Sequence, residues 1–220
     1  MRFDEGLNLK LLDFTTTKLG NKIELIGDEQ SEKSVLIIGV FHGDEPQGKY
    51  LIDEYIKKRG TNKSNLLFIP CLNPDGLQNN TRTNANGVDL NRNFPTANWG
   101  EDTSDAGDNP ADYYGGSAGA SEIETRFLID TIKKYSPSLI ITLHAPYKVV
   151  NYDGPAENIA QKISKIINYP VEASIGYPTP GSFGTYCGVE RQIPTITLEL
   201  DEEIPVEDLI QPVFKIFDVL

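Results

Sequence analysis

Val35-Leu36-Ile37-Ile38-Gly39-Val40-Phe41-His42-Gly43-Asp44-Glu45-Pro46 decides the fold class. From Val35 to Phe41 the residues are apolar almost without interruption and rich in β-branched types, as in a strand buried on both faces. Working outward, Pro46 to Arg59 reads as a helix, with Pro46 at its first position and Gly60 as its stop. Asp53–Lys57 and Glu54–Lys58 fall at the i,i+4 spacing of an exposed helix face. Lys22 to Ile26 alternates, as a half-buried neighbouring strand does. Asn65 to Cys71 is a further buried strand, closed by the turn Asn73-Pro74-Asp75-Gly76. Residues 77–120 are a long stretch rich in Asn, Asp, Gly and Thr, and loops of that length inside a domain are functional or disordered. Ser121 to Tyr135 is helical, Ser121 acting as N-cap with Glu124 three residues on. Ser138 to Leu143 is a strand that delivers His144; Ala156–Asn168 is a helix, Thr195–Leu200 a strand and Val206–Leu220 a closing helix. Strands alternating with helices give an α/β fold, a mainly parallel sheet with helices on both faces.

The 220 residues scale to about 10,000 Å² of folded surface against about 35,000 Å² unfolded, enough for a core without disulfide staples. Lys and Arg number 20 against 32 Asp and Glu, a formal charge of −12. So acidic a chain lacks the basic footprint for nucleic acid, and anionic membrane surfaces are disfavoured for the same reason. Small anions remain admissible, because a few arginines reverse the potential inside a cleft. No apolar run reaches the ~18 residues of a membrane span. Met1 to Glu5 lacks a signal-peptide core, and Cys71 and Cys187 form neither a disulfide framework nor a zinc-finger spacing. A cytoplasmic location is the expectation.

The chain has two histidines, His42 and His144, and each follows a buried strand. In parallel sheets, sites lie at the carboxyl ends of strands, where His42, Asn73, His144 and Glu199 all fall. His42 and Glu45 span a strand end and a helix start, so both heads can turn to one point. One carboxylate and two imidazoles match a catalytic zinc site, three protein ligands with one position left open. On spacing alone, hydrogen-bonded loop histidines fit equally well. Arg82 and Arg92, cations in the least regular part of an acidic chain, read either as anion-capturing groups or as surface arginines. Glu199, in an apolar strand, calls for a metal or an arginine beside it. Cys71 and Cys187 read as small core residues, and Asp102, Asp105, Asp108 and Asp112 as a solvated loop face.

With Arg82-Thr83-Asn84-Ala85-Asn86-Gly87-Val88-Asp89-Leu90-Asn91-Arg92-Asn93-Phe94-Pro95 added, the sequence resembles the zinc carboxypeptidases of the carboxypeptidase A (M14) type, over roughly residues 35–200. The resemblance implies a single three-layer α/β/α domain over residues 1–220 with a mixed, mainly parallel twisted sheet, and one Zn²⁺ held by His42, Glu45 and His144. It makes Glu199 the catalytic glutamate and Arg82 the group that polarises the scissile carbonyl. Asn91 and Arg92 become the grip on a terminal carboxylate, Asp89 the carboxylate that orients His42, and Tyr177 a mobile tyrosine over the substrate. Gly176 to Cys187, read with Asp89 to Pro95, looks like the bacterial murein peptide amidase branch of this family. That branch implies a small peptide substrate with a free carboxylate, cut between γ-D-glutamate and meso-diaminopimelate in cell-wall recycling. The arginines would take the product's carboxylates, and an acidic group that the sequence does not single out would take its ammonium. Ala145 departs from the pattern, since digestive carboxypeptidases carry serine after the third ligand and murein amidases often aspartate.

Two other classes share features. Deacylases resembling aspartoacylase or succinylglutamate desuccinylase also have an H-x-x-E and a D-L-N-R segment. Asn73–Gly76, Ser121–Arg126 and Gly176–Cys187 favour the peptidase branch instead. A non-catalytic peptide-binding protein on the same scaffold is the third reading, and the presence of all three ligands with Glu199 and Arg82 argues against it. Oligomeric state has no signature in these motifs.

Overall fold

The computed structural model describes residues 10–27, 33–59, 65–101, 109–173 and 179–220. Its strands are β1 (Lys10–Thr16), β2 (Lys22–Gly27), β3 (Val35–Gly39), β4 (Leu66–Ile69), β5 (Leu139–His144), β6 (Val149–Asp153), β7 (Val171–Glu172) and β8 (Thr195–Glu199). The helices are α1 (Gln47–Arg59), α2 (Pro74–Asn79), α3 (Ile123–Tyr135), α4 (Glu157–Ile167) and α5 (Ile210–Val219). One sheet runs β1-β2-β4-β3-β5-β8-β6-β7. β4, β3, β5 and β8 form its parallel centre; β1, β2 and β6 pair antiparallel around it, and β7 joins β6 in parallel.

The apolar runs explain the layering. Val35 and Ile37 of β3 face one core with α1, α4 and α5, while Leu36 and Ile38 face the other with Phe127, Leu128 and Ile132 of α3. Each wholly buried Ile or Leu contributes about 2–3 kcal/mol. A strand feeding both cores has no polar face, which is why β3, β4 and β5 read so plainly in the sequence. Among the described residues, no helix is long and apolar enough to cross a membrane.

Several local expectations are corrected. β3 stops at Gly39 because Val40 turns left-handed (φ 54°), and β4 is confined to Leu66–Ile69. α3 begins at Ile123, and no capping box forms: Ser121 Oγ donates to Glu122 Oε1 (2.7 Å) instead of capping the helix. On α1, Asp53 pairs with Lys49 and not with Lys57, while Lys57 and Lys58 both reach Glu54, at 3.1 and 3.0 Å. The closing helix is split into a 3₁₀ turn, Val206–Leu209, and α5. β1, β6 and β7 were not expected. The chain start Met1–Glu5, the stop at Gly60, Asp102, Asp105, Asp108 and Tyr177 lie outside the described residues; Asp112 is half-buried in a 3₁₀ turn, Pro110–Tyr113.

Candidate metal centre and active-site cavity

The strained step at Val40 shapes the site. A β-branched residue at positive φ costs on the order of 1–3 kcal/mol and persists only where its surroundings over-determine it. Here Val40 carbonyl accepts from Asn73 N (2.9 Å), and Phe41 carbonyl accepts from Asn73 Nδ2 (3.2 Å). The same amide donates to Arg82 carbonyl (3.3 Å), while Asn73 Oδ1 caps α2 by accepting from Gly76 N (2.9 Å). The Asn73–Gly76 turn thus fixes the strand end and the start of the Arg82 segment together. Gly43 is required by close approach, because a Cβ there would lie 1.9 Å from the backbone carbon of Gly76.

His42, Glu45 and His144 converge and are buried. Glu45 Oε1 lies 2.7 Å from His42 Nδ1, and Glu45 Oε2 lies 3.0 Å from His144 Nδ1. Ala145 contributes through its backbone, its N–H donating to Glu45 Oε2 (3.3 Å). The three potential donor atoms sit within 4.8 Å of one another. Behind them, Asp89 Oδ1 lies 3.1 Å from His42 Nε2, and Asp89 Oδ2 accepts from Arg82 Nε (3.2 Å) and Nη2 (3.0 Å). His144 stacks on Phe41 at 5.2 Å between ring centroids, which fixes its plane.

Electrostatics suit a cation here. Burial pushes the His42 imidazole down, but Glu45 and Asp89 together outweigh burial and Arg82, bringing it up to about 9. Burial would raise Glu45, yet His42 and His144 hold it well below the usual carboxylate range. Asp89 behaves alike, with Arg82 and His42 overcoming its burial. With Asp89 at Nε2, the proton of neutral His42 belongs on that nitrogen and its Nδ1 lone pair faces Glu45. Two ring nitrogens and an ionised carboxylate meeting at one point form a donor set that fits zinc, and a divalent ion can replace the proton that otherwise lies between His42 and Glu45.

A cavity of about 310 Å³ opens over these groups. Glu199 reaches it because the β5–β8 register sets it directly opposite His144. Its carboxyl is buried with Oε2 unpartnered, and burial pushes it above the usual range. Arg92, only 2% exposed, donates from Nη1 to Asn91 carbonyl (2.8 Å), and its Nε and Nη2 have no partner. Asn91 Oδ1 accepts from Phe183 N (2.9 Å), and Asn91 N donates to Asp89 Oδ1 (2.8 Å). His42, Glu45, Arg82, Asn91, Arg92, His144 and Glu199 therefore share one cavity with Asp89 behind it.

Asp153 and Tyr113 are among the cavity residues that escaped the sequence reading. Asp153, at the end of β6, has no charged or hydrogen-bonding neighbour acting on it among the described residues, and burial raises its carboxyl. Gly184 makes room for it, since a Cβ there would lie 2.1 Å from Asp153 Oδ2. Tyr113 lies over both arginines, its ring centroid 4.9 Å from Arg82 Cζ and 5.6 Å from Arg92 Cζ. The Asp153 signal was hidden by a strand too polar to recognise; Tyr113 carried none, being one aromatic in a polar loop.

Comparison with known proteins points the same way. The sequence pattern of the zinc carboxypeptidase family matches residues 4–173. Murein peptide amidase A of Escherichia coli K12 is 34% identical over 163 residues, covering 71% of this chain and 67% of that protein. The Vibrio campbellii murein peptide amidase A is 35% identical over 178 residues, 78% of this chain and 71% of that one. The crystal structure of murein-tripeptide amidase MpaA from Escherichia coli O157 superposes with a TM-score of 0.81 at 28% identity, over 93% of this chain and 88% of that one. Carboxypeptidase A of Helicoverpa armigera shares the fold, with a TM-score of 0.73 at 17% identity over 96% and 66% of the two chains.

Proposed function

The chain belongs to the zinc carboxypeptidase family and is a hydrolase, and from that premise we propose that it removes the C-terminal residue of a small peptide, a murein tripeptide cut between γ-D-glutamate and meso-diaminopimelate. The observation that carries the proposal is Glu199, a buried carboxyl with a free oxygen in the cavity that also holds the His42, Glu45 and His144 donors.

In this reading His42, Glu45 and His144 hold one Zn²⁺, which when bound supplies Lewis acidity toward the scissile carbonyl and acidifies water. Glu199 Oε2 accepts the proton of the attacking water as oxygen bonds to the carbonyl carbon. It then hands that proton to the leaving nitrogen as the C–N bond breaks. Burial suits Glu199 to both halves, since a raised carboxyl holds a proton more readily than a solvated one. Arg82, anchored by Asp89, donates toward the oxygen on which charge develops, a contribution of about 3–4 kcal/mol per donor in such sites. Arg92, whose buried Nε and Nη2 are unsatisfied, takes the terminal carboxylate with Asn91 beside it and so fixes the register of the cut. Tyr177, expected over the substrate, remains part of the proposal by resemblance alone.

Asp153 supports diaminopimelate as the leaving residue. That amino acid carries a second ammonium on its side chain, and an unpaired carboxylate in the cavity is the group to receive it. One continuous sheet supports reading the chain as a single domain. The free, buried thiols of Cys71 and Cys187 suit the reducing compartment of a cytoplasmic enzyme.

The deciding experiment incubates zinc-loaded protein with L-Ala-γ-D-Glu-meso-diaminopimelate and follows products by mass spectrometry. Release of diaminopimelate is expected, falling about 10²–10⁴-fold in Glu199→Gln with zinc still bound. Activity confined to N-acyl amino acids would move the protein to the deacylases. Binding of the peptide without cleavage would make it a non-catalytic receptor.

A further inference from the structure

Two guanidinium groups in one cavity pose a physical problem that the ligand set does not solve. Arg82 is neutralised by Asp89 through two N–H donors, with Glu45 Oε1 3.8 Å away. Arg92 has no such direct partner: among the described residues no carboxylate forms an ion pair with it, and Asp89, already held by Arg82, acts on it only through space. A buried cation held by one backbone carbonyl, beside a second cation, is poorly placed unless something else stabilises its charge. Among the described residues, the aromatic ring beside it is that of Tyr113, and the same ring lies by Arg82. Both guanidinium carbons are within the ≈ 6 Å over which a ring quadrupole attracts a cation.

The backbone that carries the ring is held from several sides. Tyr113 ends the 3₁₀ turn Pro110–Tyr113, capped by Asn109. The next carbonyl, of Tyr114, accepts from Asp89 N (2.9 Å), and that of Gly115 accepts from Trp99 Nε1 (3.2 Å) and Asn93 Nδ2 (2.8 Å). The backbone that positions the ring is thus bonded to Asp89, which anchors Arg82, and to Asn93, which follows Arg92. Tyr113 also forms the wall between the catalytic cavity and a neighbouring groove lined by Trp99, Tyr114 and Pro180.

We propose that Tyr113 is a positioning residue that sets Arg82 and Arg92 as one anion-binding pair, so that the carbonyl and the terminal carboxylate of a substrate are gripped at a fixed separation. The catalytic part rests on the amidase reading; the anion-binding part does not. The ring acts through its face, so its hydroxyl is dispensable and its aromaticity is not.

The test compares Tyr113→Phe and Tyr113→Leu in the zinc-loaded protein by two readouts. The first is calorimetric binding of succinate, a plain dicarboxylate that can bridge two guanidiniums. Wild type and Tyr113→Phe should bind alike, and Tyr113→Leu about tenfold more weakly, with zinc content and thermal midpoint unchanged. The second is tripeptide hydrolysis, where Tyr113→Leu should raise KM for the free-carboxylate peptide about tenfold and leave KM for its C-terminal amide unmoved. Equal succinate binding by all three proteins overturns the proposal, as does equal loss in Phe and Leu, or no succinate binding by wild type. Succinate binding that follows the predicted order in a protein inert toward tripeptide would uphold Tyr113 and sink the amidase reading.

Discussion

Asp89 and Asp153 show how environment assigns opposite work to the same side chain. Asp89 is wholly buried, yet it accepts from Arg82, Asn91 and the His42 ring, so it is ionised and fully committed. Asp153, half-buried, lines the cavity with no partner among the described residues. A group in the first state holds other groups in place; one in the second is open to a ligand. Asp153→Asn keeps the volume and removes the charge. It should raise KM about tenfold for a peptide ending in diaminopimelate, and leave unchanged a peptide ending in an amino acid without a side-chain ammonium. Steady-state kinetics on the two peptides decide this: a matched loss on both, or none on either, removes Asp153 from substrate selection.

The loop from Arg82 to Asn93 is also anchored by the residue that leads into α3. Glu122, just before α3, accepts from Asn84 Nδ2 (2.8 Å), Asn86 Nδ2 (2.6 Å) and Ser121 Oγ (2.7 Å). Its own N–H donates to Asn93 Oδ1 (3.2 Å), and Asn84 Oδ1 in turn accepts from Asn86 N (3.0 Å) and Val88 N (3.1 Å). Glu122→Ala strands the buried Asn84 amide and frees the exposed Asn86 amide, and should cost about 2 kcal/mol in urea unfolding. A loss below about 1 kcal/mol would mean that the loop is anchored elsewhere. None of this was visible beforehand, because Ser121 matched a capping box and drew the reading away from its neighbour. Legibility elsewhere followed burial. β3, β4 and β5 feed two cores and are apolar but for Thr142 and the terminal His144 of β5, so they and the histidines that follow or end them could be read directly. β1 lies at the sheet edge with Leu11 and Phe14 about half exposed (51% and 50%), and so lacks the alternation that marks a half-buried strand. β6 was hidden by function itself: Asn151 and Asp153 line the cavity and interrupt the apolar pattern of the strand that carries them.

At the scale of the whole molecule, the metal centre couples folding to pH. In the metal-free protein His42 titrates near 9, against 6.5 unfolded, so its pairing with Glu45 and Asp89 is fully stabilising below about pH 6.5 and is lost as pH rises through about 9. The difference is about 3 kcal/mol, the same coupling that holds Glu45 low and not an addition to it. For a chain of this length it amounts to roughly 10 °C in thermal midpoint. On the acid side the signs reverse: Glu45 and Asp89 are held below their ordinary values, so their contribution is present above about pH 4 and disappears as pH falls further. A zinc ion held by His42, Glu45 and His144 would take the place of the His42 proton, and its affinity would rise as that proton becomes easier to lose. Chelated protein should therefore melt at a constant temperature between about pH 5 and 6.5 and lose roughly 10 °C by about pH 9.5, while protein with excess zinc loses far less. The zinc-loaded samples also control for self-repulsion in a chain of formal charge −12, which acts on both forms. Scanning calorimetry across that range is the measurement. Parallel decline of the two curves would show that His42 carries no excess proton in the metal-free fold, and with it would fall the exchange of proton for metal at its Nδ1.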